Sequence, residues 1–433
     1  MSGKEVAMKI LHTGDLHIGK YVHDFSMLED QAYILEQILE IAVREQVEVM
    51  LIAGDVYDRS VPTAEAVGLL DAFLTKALAC GIRIIMISGN HDSPQRLGFA
   101  GRILEKQGLH IAGTYEGEAK KVTLKDRYGE VTFLCIPYCR PDTLGASSCE
   151  EAVAEILARE KTDSRKRNVL VTHYFVTDGG RGPLLSDSET MVHVGGLDNI
   201  EASLLSEFDY VALGHIHRPQ QIGDRPVFYS GSPLKYSFSE AKYDKSVNII
   251  TLREKGDMDV RCEKLKPLHE MRQIRGTLEQ IMQAAAEDSA AADGALAGRN
   301  NAAADSALAD VDDAAADSAL ANGDDTADGA LAGRNAADRQ CLDYVQVTLT
   351  DEVELYDPIG TLRTVYPNIM QLLLAVRDDA AEAAVPEHAA DRSRSPMQMY
   401  LDFYEEVRGR QIDEPRRQVI EDVMREASQE DGA

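Results

Sequence analysis

Residues 8–17 read MKILHTGDLH, an apolar run broken by Thr-Gly and then by an aspartate and a histidine. The same grammar recurs four times. VMLIAGDVYD occupies 49–58, IRIIMISGNHD 82–92, NVLVTHY 168–174 and YVALGHIH 210–217. Runs of four to eight apolar residues bounded by turn residues suit buried strands. The spacing predicts strands at Met8–His12, Val49–Ala53, Ile82–Ile87, Val131–Ile136, Asn168–Thr172 and Tyr210–Leu213. Between the early ones, helical patterns cover about 27–45 and 63–79, the second opened by Pro62-Thr63 and followed by Gly81. Strand–helix–strand alternation predicts an α/β fold with a largely parallel central sheet.

In open α/β sheets, ligands sit beyond the carboxyl ends of the strands. Every polar cluster quoted above falls there. Asp15, His17, Asp55, Asn90, His173, His215 and His217 offer the oxygen and nitrogen donors that suit Mn²⁺, Fe²⁺ or Zn²⁺. No cysteine joins them, which argues against a structural zinc site. Taken singly, each cluster reads equally well as turn chemistry, and Gly54 and Gly89 as turn glycines. Taken together they read as a metal centre, because carboxylates gathered without a cation repel. His91 follows a candidate ligand and precedes Asp92, which is expected to fix its tautomer. His12, His23, His110, His193, His269 and His388 have no partner pattern and read as structural or surface residues.

Composition sets the limits of the chemistry. The 433 residues imply two or three domains. Forty-five basic residues against 73 acidic ones give a net charge of −28, which disfavours a general nucleic-acid coat or an anionic-membrane binder. Phosphate chemistry on such a chain has to be local, with metal ions drawing the anion in. No apolar run reaches the ~18 residues of a membrane span, and no signal-peptide pattern opens the chain, so a protein that stays in the cytoplasm is expected. Six cysteines without CxxC pairing fit reduced thiols. Residues 1–7 read as a dispensable leader.

Residues 284–338 are low in complexity, with twelve acidic residues against Arg299 and Arg334. DGALAGRN occurs at 293–300 and 328–335, and ADSALA at 304–309 and 316–321. Repeats with so few large apolar residues cannot offset their ordering entropy, so a disordered insertion is expected. Around it, His269–Gln283, Leu342–Leu349 and Asp357–Val376 suggest a small α+β domain, with Tyr344–Leu349 as an exposed-edge strand. Residues 377–395 read as a polar linker. Met397, Tyr400, Leu401, Tyr404 and Val407 recur at helical spacing before Gly409. Asp413 then opens a second stripe of Val419, Ile420, Val423 and Met424.

The order DxH, GDxxD, GNHD, lone His, GHxH resembles the calcineurin-like metallophosphoesterase superfamily. LHTGDLHIGK (11–20), GNHDSP (89–94), ALGHIHRPQ (212–220) and YSGSPLKYSFSE (229–240) are similar to its bacterial DNA-nuclease branch. The likeness is strong over about 1–270 and weaker beyond. It implies a metallophosphoesterase sheet sandwich flanked by helices over 1–266, and a small α+β DNA-capping domain over 267–376 interrupted by the insertion 284–338. A linker at 377–396 and partner-binding helices at 397–433 complete it. It also implies two divalent ions, by family Mn²⁺, bridged by Asp55. Asp15, His17 and His217 would complete one shell, and Asn90, His173 and His215 the other. An extended GHIH would let His215 and His217 address neighbouring ions.

Asp58 takes a supporting role, and His91 becomes the catalytic histidine that protonates the departing 3′ oxygen. Lys20, Arg218, Lys235 and Tyr236 are expected to lend cationic and stacking character for a nucleic-acid backbone. The implied activity is Mn²⁺-dependent hydrolysis of DNA phosphodiesters, by 3′–5′ double-strand exonuclease and single-strand or hairpin endonuclease cleavage. The implied partners are DNA, a second copy of the chain within a heterotetramer, and an SMC-like ATPase, with no membrane. ATP use would belong to that ATPase, since the chain lacks a GxxxxGK[ST] loop. A phosphoesterase acting on a small substrate and a non-catalytic DNA-bridging scaffold are the competing readings. The complete donor set disfavours the scaffold, and the YSGSPLKYSFSE segment with the tail stripes disfavours the small-substrate enzyme.

Overall fold

A computed structural model describes residues 7–189, 199–286, 342–353 and 355–375, with five scattered residues beyond. Two compact units divide the chain after Ala375, and the second lies almost wholly outside the described residues. Residues 1–6 of the expected leader 1–7, most of the insertion, the linker and most of the tail stripes are likewise outside them, while Ala7 is described and buried. Residues 284–286 are the exception. They continue the helical run 278–286, and Ala285 is buried, so ordered chain extends past the expected start of the insertion.

The first unit is built on β1 (Met8–Thr13), α1 (Leu28–Arg44), β2 (Val49–Ala53), α2 (Ala64–Ala79), β3 (Arg83–Ile87) and β4 (Leu109–Ala112). It continues through β5 (Lys120–Asp126), β6 (Gly129–Ile136), α3 (Cys149–Glu160), β7 (Arg167–His173) and β8 (Tyr210–Gly214). Then come β9 (Gln220–Gln221), β10 (Val227–Tyr229), β11 (Ser246–Leu252) and β12 (Met258–Lys264). Strand–helix alternation alone suggests one central sheet; the structure has the sandwich that the resemblance implies, two six-stranded sheets ordered β12-β11-β1-β2-β3-β4 and β9-β10-β8-β7-β6-β5. Each has a parallel block, β1 to β4 in one and β6, β7, β8 and β10 in the other, with antiparallel strands β11 and β12 at one edge of the first sheet and β5 and β9 at the two edges of the second.

Alternation along the strands explains the layering. Ile10, Val49, Leu51, Ile85 and Ile87 pack against Phe133, Val169, Val171, Tyr210 and Ala212, so the inner faces form one core between the sheets. The neighbouring positions point outward. Leu11, Met50, Ile52 and Ile84 meet Ile34, Ile38 and Ile41 of α1 and Leu70, Phe73 and Ala77 of α2. Leu134, Leu170 and Val211 meet Val153 and Ile156 of α3. Both faces of each sheet are thus covered, which is why the strands read as continuous apolar runs rather than alternating ones. Each such fully buried aliphatic side chain contributes about 1.5–3 kcal/mol.

A three-stranded parallel sheet follows, ordered β13 (Met271–Gly276), β14 (Tyr344–Leu349) and β15 (Ile369–Leu374), with α4 (Pro358–Arg363) between the last two. Tyr344–Leu349 is therefore its central strand, not an exposed edge. The alternation reported one covered face, and that face lies on Ile281, Leu362 and Tyr366. Position within a sheet does not alter a strand's own period.

Candidate metal centre

All five polar clusters stand where β1, β2, β3, β7 and β8 end. They come from the edges of two sheets rather than one. The parallel blocks of both sheets run their carboxyl ends toward the same rim, and the chain kinks there. Asp15, His17, Asp55 and His215 all have positive φ (51°, 45°, 47° and 98°), a conformation that costs energy and that clusters at functional sites. Gly54 (φ 89°) and Gly89 make room. A Cβ on Gly54 would lie 2.4 Å from His173 Nδ1, and one on Gly89 2.1 Å from Asp55 Oδ1.

The donors then converge. His17 Nε2 faces His217 Nε2 at 3.1 Å, and Asp15, His17 and His217 form one buried donor group. Asn90 Oδ1 lies 3.0 Å from His173 Nε2 and 3.1 Å from His215 Nδ1. Asp55 lies between the two sets, its Oδ2 3.7 Å from His17 Nε2 and 3.3 Å from His173 Nε2. The GHIH stretch is not extended. The chain bends at His215, sending its ring to Asn90 and that of His217 to His17.

Electrostatics favour a cation here. Asp15 Oδ2 is buried with no hydrogen-bond partner among the described residues, an acceptor left open among nitrogen donors. Burial pushes the Asp15 carboxyl up to about 8 despite the nearby His173. Burial opposes charge on His173 too, but the Asp55 and Asp15 carboxylates outweigh it and raise its pKa to about 9. Burial holds His17 below the usual imidazole range and, with the adjacent His17 ring, His217 well below it. Neutral imidazole is the form that ligates metal. With carboxylate and amide oxygens, imidazole nitrogens and no thiolate, the donor set fits divalent ions of the Mn²⁺, Fe²⁺ or Zn²⁺ kind.

His91 borders this cluster, its ring edge-on to His17 with centroids 4.8 Å apart. Its backbone N–H donates to Asp55 Oδ1 at 2.9 Å. Asp92 does not orient the His91 ring, contrary to expectation. Its carboxylate is turned away and accepts the backbone N–H groups of Val56, Tyr57 and Gly89, while His91 Nδ1 lies 3.0 Å from the Asp58 carbonyl oxygen. A residue next in sequence seldom faces the ring it follows, whereas a turn brings a distant carbonyl to it.

The expected nucleic-acid contacts also need correction. Lys235 and Tyr236 are buried. Lys235 pairs with Glu270 at 2.6 Å, and the Tyr236 hydroxyl donates to the Leu16 carbonyl at 2.5 Å, bracing the turn that carries His17. Lys20 is held by Asp58 at 2.7 Å, and Arg218 lies over the Tyr243 ring. His12 is a core residue between Tyr210 Oη and the Leu213 carbonyl, while His193 and His388 lie outside the described residues. Sequence reasoning missed Ser188, Glu189, Glu240 and Lys245, which surround His217; no spacing signal linked them to it.

Two packed sheets with histidines, carboxylates and an asparagine gathered at one rim define a calcineurin-like phosphoesterase, and the family model of that description matches residues 8–219. A second model, the Type 5 capsule protein repressor C-terminal domain, matches 325–408, beginning inside the low-complexity segment. The SbcD subunit of the nuclease SbcCD from Staphylococcus saprophyticus is 36% identical over 65% of this chain and 75% of its own length. The protein of the same name from Staphylococcus epidermidis is 34% identical over 64% and 74%. The chain belongs to this SbcD family, and so is a metal-dependent phosphoesterase with a divalent-metal centre. A dimetal phosphatase from Danio rerio overlays loosely, at 13% identity and a TM-score of 0.38, over 60% of this chain and 96% of that one. Among the described residues no helix is long and apolar enough to cross a membrane.

Proposed function

We propose that the chain is the nuclease subunit of a complex with SbcC, an SMC-like ATPase, and hydrolyses DNA phosphodiesters with two Mn²⁺ ions. The observation that carries this is the place of Asp55 Oδ2, within 3.7 Å of His17 Nε2 on one side and 3.3 Å of His173 Nε2 on the other. A carboxylate oxygen so placed suits a bridge between two ions. Asp15, His17 and His217 would hold one, and Asn90, His173 and His215 the other. When bound, such a pair neutralises phosphate charge and lowers the pKa of a water.

The protein's own residues orient and move protons. His91 donates Nδ1–H to the Asp58 carbonyl; in its imidazolium form it would carry a second proton on Nε2, which passes to the departing 3′ oxygen and leaves the ring neutral. Asp58 also holds Lys20, placing a cation beside the cluster. The cap sheet β13-β14-β15 would limit which DNA shapes reach the rim. The apolar stripes within 397–433 would grip the coiled coil of SbcC, and two copies of the chain would sit in a heterotetramer in the cytoplasm. By family, cleavage is 3′–5′ on double strands and endonucleolytic on single strands and hairpins, in DNA end processing, repair and recombination.

Purification with and without SbcC, then Mn²⁺-dependent cleavage of free-ended and end-blocked DNA, tests this. Cleavage of DNA that falls with a chain lacking 397–433 only when SbcC is present is expected. Rapid hydrolysis of small phosphoesters with no DNA cleavage would overturn the nuclease reading.

A further inference from the structure

Behind His217 lies a buried polar network. Ser188 Oγ stands 2.7 Å from His217 Nδ1 and 2.6 Å from Glu240 Oε1, with Ser186 Oγ 2.7 Å away. Glu240 is fully buried and paired with Lys245, itself buried. Lys245 Nζ also donates to the His217 carbonyl oxygen at 2.7 Å and to Ser232 Oγ at 2.8 Å. Glu189 Oε1 accepts the His217 backbone N–H at 2.6 Å. The main chain and the ring of His217 are therefore both held, from segments about 30 residues before and after it in sequence.

Proton counting decides the direction of each bond. A serine hydroxyl has one proton to give, and a carboxylate paired with an ammonium only accepts. The Ser188 proton therefore goes to Glu240. Its oxygen is left with two lone pairs, one for the Ser186 hydroxyl and one for a proton on His217 Nδ1. A neutral imidazole with its proton on Nδ1 has its lone pair on Nε2, the nitrogen that faces His17.

We infer that Ser188 and Glu240 are positioning residues that hold His217 in its Nδ1–H tautomer and aim the Nε2 lone pair at the metal centre, while Lys245 anchors the same residue's main chain. The inference rests on the reading of His217 as a ligand. It also assigns a role to YSGSPLKYSFSE, which supplies Glu240 and Ser232 as a brace for the centre instead of a DNA-contacting loop. Partners of this kind around ligating histidines change metal affinity about 10–100-fold when removed.

The test uses the full chain. Nitrogen-15 NMR of labelled histidines in the metal-free protein should find His217 as the Nδ1–H tautomer, and Ser188→Ala should shift it away from that form. Calorimetric titration with Mn²⁺ should show affinity about tenfold or more weaker in Ser188→Ala. Ser188→Thr, which keeps the hydroxyl, should restore both readouts. Glu240→Gln repeats the test from the other end, although its loss of a buried charge makes Ser188→Ala the deciding variant. An unchanged tautomer with wild-type Mn²⁺ affinity in Ser188→Ala would overturn the inference, and so would equal weakening in Ser188→Thr, which marks a packing effect. A wild-type chain that binds no Mn²⁺ would instead sink the metal reading, while the metal-free tautomer still decides what Ser188 does.

Discussion

His173 Nε2 lies 3.3 Å from Asp55 Oδ2, and on its other ring nitrogen His173 lies 2.8 Å from the Ala53 carbonyl oxygen. The strand that delivers Asp55 thus also orients the histidine beside it. Because that same Oδ2 reaches toward His17, Asp55→Ala should empty both halves of the centre. Metal analysis of the purified variant is expected to find neither ion. Two ions still bound would refute the bridging role.

His91→Ala leaves all seven candidate ligands in place. Its Mn²⁺ stoichiometry and DNA binding should match wild type, while the cleavage rate falls about 10²–10⁴-fold, the range for losing one positioned proton donor. Near wild-type rates would remove His91 from the chemistry.

Gly89→Ala tests the crowding around Asp55 without replacing a candidate ligand. The added methyl would lie 2.1 Å from Asp55 Oδ1 and 2.4 Å from the Asp55 backbone nitrogen, so the carboxylate has to move. Weaker Mn²⁺ binding is expected by calorimetry. Gly68→Ala in α2 meets nothing within 4 Å and should stabilise the fold by about 0.5–1 kcal/mol, read from the denaturation midpoint. Equal Mn²⁺ affinity in the two variants would contradict the argument.

Asp30 of α1 is fully buried, and it accepts the Tyr344 hydroxyl at 2.7 Å and the His269 backbone N–H at 3.1 Å, with His269 Nδ1 also 3.1 Å away. This ties the three-stranded sheet to the helix beneath the metal centre. Tyr344→Phe should cost about 1–3 kcal/mol in denaturant unfolding, since one acceptor site loses its donor.

Burial opposes charge on His269, but the Asp30 carboxylate, with Glu29 and Asp343, outweighs it and raises the pKa above 6.5. A raised folded-state pKa contributes stability that is complete below the unfolded value and is lost as pH rises through the folded value. His269→Ala should therefore destabilise the fold more at about pH 5.5 than at about pH 9, by thermal unfolding. An equal effect at both would show that the contact does not depend on the imidazolium.

The strands, the two long helices and all seven candidate ligands were legible from local pattern. A buried parallel strand needs an apolar run, and a strand that ends at a ligand-holding rim needs turn residues with donors after it. Those constraints act within about ten residues. The family resemblance added the pairing of ligands into two sets, which spacing alone leaves open. Sequence reading failed where the partner lies far along the chain. Alternation alone put the strands in one sheet, because period cannot say whether an outward face meets a helix or a second sheet; the sandwich came from the resemblance. Sequence reading also assigned Asp92 to the His91 ring and sent Lys235 and Tyr236 toward DNA, because adjacency and residue type say nothing of burial. Which strands pair, and which carboxylate, hydroxyl and ammonium close around His217, depended on contacts between residues about 30 to 200 positions apart. Only the packed tertiary structure decides such contacts, since burial is a property of the assembled layers and not of any one segment.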